Sequence, residues 1–269
     1  MSSNISSTHT LVADRDAEDD DGLDVRARMG FLDHLDELRR RLLYSIIAVA
    51  SCLAVTFWYW EPMFTYLVTY FKDNSNGGEV VYTNATSGFM FSLKVSAVAA
   101  LVVAAPFVFS QIWLFVAPGL YSKEKKMAIP FVFFSSMLFF CGAAFAHIVG
   151  FPTMWRFLAS YQIAGVKFLP NLDDTFTFYT YTLLGAGLVF QMPMLVFTLA
   201  RFGLVTAGFL VRKTKYAILI IFIVAAIITP SADIVSQTVI AAPMIVLYAI
   251  SIGVAWLFGK KRPKESEDA

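Results

Sequence analysis

Six times along this chain the sequence turns apolar for long enough to approach the thickness of a bilayer. A hydrocarbon core of about 30 Å takes roughly 20 helical residues to cross, so runs of this kind leave little choice of fold. They are Leu42–Trp60, Phe89–Val116, Ala128–Gly150, Phe176–Leu199, Tyr216–Thr229 and Ile234–Phe258. The fifth is short for a full crossing, which calls for a locally thinned bilayer or for flanking residues that snorkel to the interfaces. Composition agrees: 58% of the 269 residues are hydrophobic and 15% charged, against about 25% charged in a soluble domain, and the mean hydropathy is +0.65. The expected fold is an all-α integral membrane protein. Six transmembrane helices form a curved, concave bundle preceded by an N-terminal amphipathic cytoplasmic helix.

Orientation follows from lysine and arginine placement near the span ends. One side collects Arg26, Arg28, Arg39 to Arg41, Lys123, Lys125, Lys126, Arg201, Arg212, Lys213, Lys215 and the C-terminal Lys260, Lys261, Arg262 and Lys264; the other has Lys72, Arg156 and Lys167. This bias predicts both termini in the cytoplasm and an even number of spans. Residues 1–28 are Ser- and Asp-rich with the acidic run Glu18–Asp21 and no signal-peptide core, so they read as a disordered cytoplasmic tail. Residues 29–258 read as a single membrane domain, and 259–269 as a second disordered tail.

Two longer segments lie on the outer side. Glu61–Gly88 holds PMFTYLVTYF and then the turn-forming Asn74–Gly78; Phe151–Thr175 opens on Phe-Pro and carries Trp155 and Tyr161. Aromatic-rich segments of this kind settle at the interface, and both are expected to cap the bundle. Neither a direct nor an inverted internal repeat is visible, which weakens a secondary-transporter reading. Cys52 and Cys141 lie within apolar runs, without metal-ligand spacing, and behave as small hydrophobes. No case for nucleic acid exists.

Just ahead of the first run stands MGFLDHLDELRRRLL, Met29–Leu43. Phe31, Leu35, Leu38 and Leu42 recur at helical spacing while Asp33, His34, Asp36, Glu37, Arg39 and Arg40 take the rest, the pattern of a helix lying on a membrane surface or on a partner.

Polar groups within spans are the natural functional candidates because hydrocarbon makes them costly. Lys94 sits about one turn into the second span, where snorkelling outward is the simplest reading. Gln111, near the inner end of that span, has a neighbouring helix as its simplest partner. For Gln191, ahead of Pro193 in the fourth span, satisfying a freed backbone carbonyl and contacting a ligand are both open. His147 reads as an interfacial histidine before a metal ligand, and Asp233 as an N-cap of the sixth span. Pro106, Pro193, Gly185 and Gly187 suggest that the second and fourth spans bend. No P-loop, HExxH or GxSxG pattern occurs, and too few charges lie inside the spans for an obvious proton relay. An enzyme, a cofactor and a metal site are therefore not expected.

Among the acidic residues of the basic face, Glu37 in DELRRR and Glu124 in SKEKK stand closest to span ends. Local pairing accounts for each: Glu37 precedes Arg41 by one helical turn, and Glu124 is surrounded by lysines. An exposed pair of the first kind is worth only ~0.3–0.5 kcal/mol. The alternative is that both carboxylates face one cytoplasmic concavity and bind a cation, guanidinium being favoured by its bidentate geometry.

The chain resembles the TatC family, the multi-spanning subunit of the twin-arginine protein translocase. HLDELRRRLL at His34–Leu43 and APFVFSQIWLFVAPGLYSKEKK at Ala105–Lys126 carry the likeness, with Phe151-Pro152, FQMP at Phe190–Pro193 and TPSADIVSQ at Thr229–Gln237 following in order. It extends from about Gly30 to Phe258. The resemblance implies a receptor in the bacterial inner membrane for folded proteins whose signal peptides carry paired arginines. The implied partners are TatA- and TatB-type single-span subunits, further copies in a receptor complex and the proton-motive force. Residue by residue, it assigns the signal-peptide contact to Glu37 and Glu124, with Leu38, Arg39, Lys125 and Lys126 shaping that surface. Gln191 falls where the family often has Glu, and with Gln111 forms the expected set of intramembrane polar or partner-helix positions; the missing acid puts a charge-based role there in doubt. Two competing readings remain: a small-molecule transporter with Lys94 and Gln191 as substrate contacts, and a purely structural scaffold.

Overall fold

A computed structural model describes residues 34–75, 80–82, 86–116, 128–161, 168–229 and 233–258. Residues 1–33 and 259–269, and the segment carrying Glu124, Lys125 and Lys126, lie outside the described residues. Helix α1 runs His34–Trp58, followed by α2 (Trp60–Asp73), α3 (Ser87–Val116) and α4 (Ala128–Phe145). A π-helical turn at Ala146–Gly150 leads into α5 (Phe151–Ser160), and then come α6 (Leu172–Val189), α7 (Met192–Arg201), α8 (Ala207–Arg212), α9 (Thr214–Ile228) and α10 (Ile234–Phe258). Five stretches are long and apolar enough to cross a membrane: α1, α3, Ile129–Ser160, Leu172–Arg201 and α10; α9 is the shorter apolar sixth. Among the described residues the sole β feature is an isolated parallel bridge, Val81 to Asn171.

The predicted runs and these helices coincide, with three differences. From His34 onward the amphipathic stretch is not a separate surface helix: it forms the first turns of α1, unbroken through Trp58. No glycine or proline interrupts Leu42 to Trp58, so nothing stops a helix from running through the junction. The third span does not end at Gly150 either. It continues through the π turn to Ser160, with Pro152 in the first turn of α5 and the Tyr70 hydroxyl serving the His147 carbonyl that Pro152 has no amide to reach. The short helix α8, capped by Thr206 accepting from the Phe209 amide at 3.2 Å, lies in a stretch too brief to show periodicity.

Within the spans, close approach decides the packing. A Cβ placed on Gly142 of α4 would stand 2.7 Å from the Ala186 carbonyl oxygen of α6; one on Gly187 would meet the Phe139 ring at 2.7 Å, and one on Gly185 the Ile228 side chain at 2.7 Å. Gly185 and Gly187 thus bring α6 against α9 and α4; the expected bending role belongs instead to the break at Phe190–Gln191, where α6 gives way to α7. Pro193 falls in the first turn of α7. Gln191 spans this break by donating its amide to the Ser135 carbonyl of α4 at 2.9 Å. Pro106 lies inside α3 without ending it.

The end of the bundle away from His34 is closed by α2 and α5, as the aromatic-rich segments predict. Phe71, Phe91, Phe151 and Met154 are fully buried there. The Phe151 ring lies 5.4 Å from Phe71 and 5.5 Å from Trp155, and Trp155 donates its indole N–H to Ser75 at 3.0 Å. The π turn has a local cause. The Phe151 amide bonds the Ala146 carbonyl, five residues back, and Pro152 has no amide to offer the His147 carbonyl. The Tyr70 hydroxyl donates to that carbonyl instead. His147 itself bonds the Tyr66 hydroxyl through Nε2 at 2.8 Å and the Tyr179 hydroxyl through Nδ1 at 3.0 Å. It is a structural histidine at the capped end.

Two outcomes follow. Gly142→Val forces its side chain into the Ala186 carbonyl, main chain that cannot yield cheaply, and should destabilise the protein by about 1–3 kcal/mol, read as a lowered thermal midpoint in detergent; an unchanged midpoint would contradict the close approach of α4 and α6. Gln191→Leu removes one inter-helix hydrogen bond and should cost roughly 1 kcal/mol. Equal midpoints for Gln191→Leu and the parent protein would show that the bond to Ser135 contributes nothing.

Candidate functional site

The first turns of α1 present the residues singled out from the sequence. Successive helical positions differ by about 100°, so positions four apart share a face. Glu37 and Arg41 therefore meet: Arg41 Nη2 lies 3.2 Å from Glu37 Oε1, with side chains 26% and 29% exposed. Leu38 and Arg39 are exposed, and Arg40 turns along the helix to donate to the Tyr44 hydroxyl at 3.1 Å with its guanidinium 5.5 Å from that ring. The local pairing expected of Glu37 is thus present.

Two contacts hold this end of α1 to the end of α3. The His34 ring stacks on Phe115 at 4.4 Å and 18°. Arg41 Nη1 donates to Gln111 Oε1 at 3.5 Å, and Gln111, buried as an intramembrane amide should be, also reaches the Ser110 hydroxyl at 3.4 Å. A third tether joins the two helices farther along, where the Thr56 hydroxyl donates to the Ser96 carbonyl at 2.9 Å. The α3 helix ends at Val116, next to Phe115, and the sequence from there leads to Glu124. Glu37, Leu38 and Arg39 share one helix end; Glu124, Lys125 and Lys126 lie outside the described residues.

The remaining candidates are accounted for within the fold. Lys94 does not simply snorkel: its Nζ pairs with Asp173 Oδ1 at 2.9 Å, a partner far away in sequence, in the first turn of α6 where an acid also complements the helix dipole. Gln191 is engaged with Ser135, as above. Asp233 caps α10 by accepting from the Ser236 amide at 2.6 Å. Among the described residues no group of His, Cys, Asp and Glu could hold a metal ion. Sequence reasoning missed Arg41 as part of this site, although the i, i+4 spacing that paired it with Glu37 was its signal; its bond to Gln111 depends on helix packing and had none.

The family model for TatC, Sec-independent protein translocase protein, matches residues 33–243. The chain is 40% identical over 245 residues to the TatC protein of Koribacter versatilis, covering 90% of each. It is also 40% identical over 237 residues to that of Helicobacter pylori, covering 87% of this chain and 90% of the relative. A crystal structure of the twin-arginine translocase receptor TatC superposes with a TM-score of 0.73 at 31% identity, over 82% of this chain and 97% of that one. Spanning helices in the order that the residue pattern demands, and relatives matched over nearly their whole length, make this chain a member of the TatC family, a multi-pass membrane component of the Sec-independent protein translocase and a transport protein, not a catalyst.

Proposed function

We propose that this protein is the receptor of a twin-arginine translocase. In this reading, Glu37 and Glu124 bind the two guanidinium groups of a signal peptide at the cytoplasmic face of a bacterial inner membrane. The observation that carries the reading is the Glu37 carboxylate itself: it stands at a helix end, partly exposed, and already accepts a guanidinium hydrogen bond, at 3.2 Å. A partly desolvated carboxylate of this kind holds guanidinium better than one in bulk water. The tethering of α1 to α3 through His34 and Arg41 supports a second carboxylate nearby, since the segment bearing Glu124 follows α3 directly. Leu38, Arg39, Lys125 and Lys126 then form the rim, and the lysine and arginine bias sets this face, with both termini, in the cytoplasm. TatA- and TatB-type single-span subunits are the membrane partners, with self-assembly into a receptor complex and the proton-motive force driving export of folded cargo. The residues that a small-molecule transporter would need, Lys94 and Gln191, are occupied by Asp173 and by the Ser135 carbonyl, so that alternative gains nothing from the geometry.

A charge-assisted hydrogen bond contributes about 1.5–3 kcal/mol, roughly ten- to a hundredfold in affinity. Glu37→Ala and Glu124→Ala should each weaken binding of an Arg-Arg signal peptide to the purified protein by at least tenfold, as read by fluorescence anisotropy, while the spans stay inserted. A Lys-Lys peptide should bind the parent protein more weakly than the Arg-Arg peptide. Full affinity in both glutamate variants would overturn the assignment.

A further inference from the structure

Three arginines stand in a row at the start of α1, and they behave differently. Arg39 is exposed, Arg40 is drawn along the helix to Tyr44, and Arg41 turns inward between Glu37 and Gln111. The inward one is poorly satisfied. Its contact with Glu37 is single, Nη2 to Oε1 at 3.2 Å, where a guanidinium fork closes two parallel bonds of about 2.7–2.9 Å. Its reach to Gln111 is 3.5 Å, at the limit of a hydrogen bond, and its Nε is buried with no partner among the described residues. A guanidinium held so loosely is easily displaced from the carboxylate. Gln111, buried on α3 with its Oε1 aimed at Arg41, offers an acceptor that survives the displacement.

We propose that Arg41 is an internal competitor for the signal-peptide site: its guanidinium occupies Glu37 in the free protein, and a peptide arginine replaces it while Gln111 retains the displaced side chain. This rests on the reading of Glu37 as a peptide contact. An intramolecular competitor reduces the fraction of binding-competent sites and so lowers the apparent affinity for every cation by one common factor. It therefore sets a threshold rather than a preference. Ligands with two guanidinium groups clear the threshold, and weaker cations in the cytoplasm fall below it. It also keeps the carboxylate from standing unpaired between substrates.

The test is a set of peptide titrations on the purified full-length protein, with melting in detergent as the folding control. Arg41→Gln should raise affinity two- to fivefold for an Arg-Arg peptide and by the same factor for a Lys-Lys peptide, leaving their ratio unchanged. Arg40→Gln removes the same charge without touching Glu37; its gain should be smaller and vanish at high salt, whereas that of Arg41→Gln persists. In a Glu37→Gln background, Arg41→Gln should give no gain at high salt. A folded Arg41→Gln protein with unchanged or weakened peptide affinity, or with an altered Arg-Arg to Lys-Lys ratio, overturns the proposal and leaves the Glu37 assignment standing. A Glu37→Gln protein that binds the Arg-Arg peptide as well as the parent overturns that assignment itself. Should Arg41→Gln fail to fold, Arg41→Met carries the test, since it keeps the length of the side chain and removes the charge and every donor; a gain in affinity for both peptides that persists at high salt supports the proposal and no gain rejects it.

Discussion

In hydrocarbon, lipid tails solvate a leucine as well as another helix does, so burial of apolar surface supplies little force to hold spans together. What remains is close packing and the few polar groups that find partners. In this protein those polar groups largely reach for main-chain carbonyls: Thr56 donates to Ser96, Gln191 to Ser135, Gln237 to Phe222 and Tyr248 to Leu210. A carbonyl already bonded in its helix keeps a second lone pair, so each tether adds a hydrogen bond without breaking one. The glycines of α4 and α6 do the complementary work, bringing backbone near backbone at Gly142 and Ala186. The α1–α3, α4–α6, α6–α9, α8–α10 and α9–α10 contacts each include one of these tethers or glycines, while large apolar residues such as Ile129, Ile227 and Trp256 are free to face lipid.

The capped end is built on another rule. There α2 and α5 lie over the spans, and aromatic rings supply a dense buried core with polar tips. Phe71, Phe151 and Trp155 fill the interior, and the Tyr70 hydroxyl replaces the amide that Pro152 lacks at the His147 carbonyl. The π turn is therefore not a defect in an otherwise regular span. It offsets the register so that one long helical run both crosses the membrane and closes the end of the bundle, and the tyrosines around His147 satisfy what the offset exposes. The Lys94–Asp173 pair and the Val81–Asn171 bridge link the starts of α3 and α6 at this same end.

Much of this was legible in the residues because spanning length is a coarse and demanding signal. Six apolar runs, the short fifth among them, map onto α1, α3, α4, α6–α7, α9 and α10. Aromatic composition marked the caps, and the Asp233 cap could be read from its place ahead of an apolar run. Pairings across the fold were not legible. Nothing near Lys94 in sequence names Asp173, and the bond between Gln191 and Ser135 exists only because glycines let α4 and α6 approach. The amphipathic stretch misled for a related reason: periodicity reveals that a helix has two faces, but not whether it ends where its pattern fades. With no breaker between Leu42 and Trp58, the helix continued.

That continuity alters what the charged motif does. A separate surface helix would move independently of the spans, whereas DELRRR forms the rigid first turns of α1. Of the membrane-crossing helices α1 is also the least embedded, with no buried residue over its apolar window and side-chain tethers to α3 at Thr56, Arg41 and His34. The Glu37 carboxylate is therefore held at the α1 end that packs on the end of α3, while most of the α1 surface stays open to lipid. On the proposed reading of Glu37 as a signal-peptide contact, a receptor has the same two requirements: a carboxylate held in place, and a neighbouring helix face that is free to be joined. Arg41 belongs to both, since the side chain that neutralises Glu37 is also the one that ties α1 to Gln111.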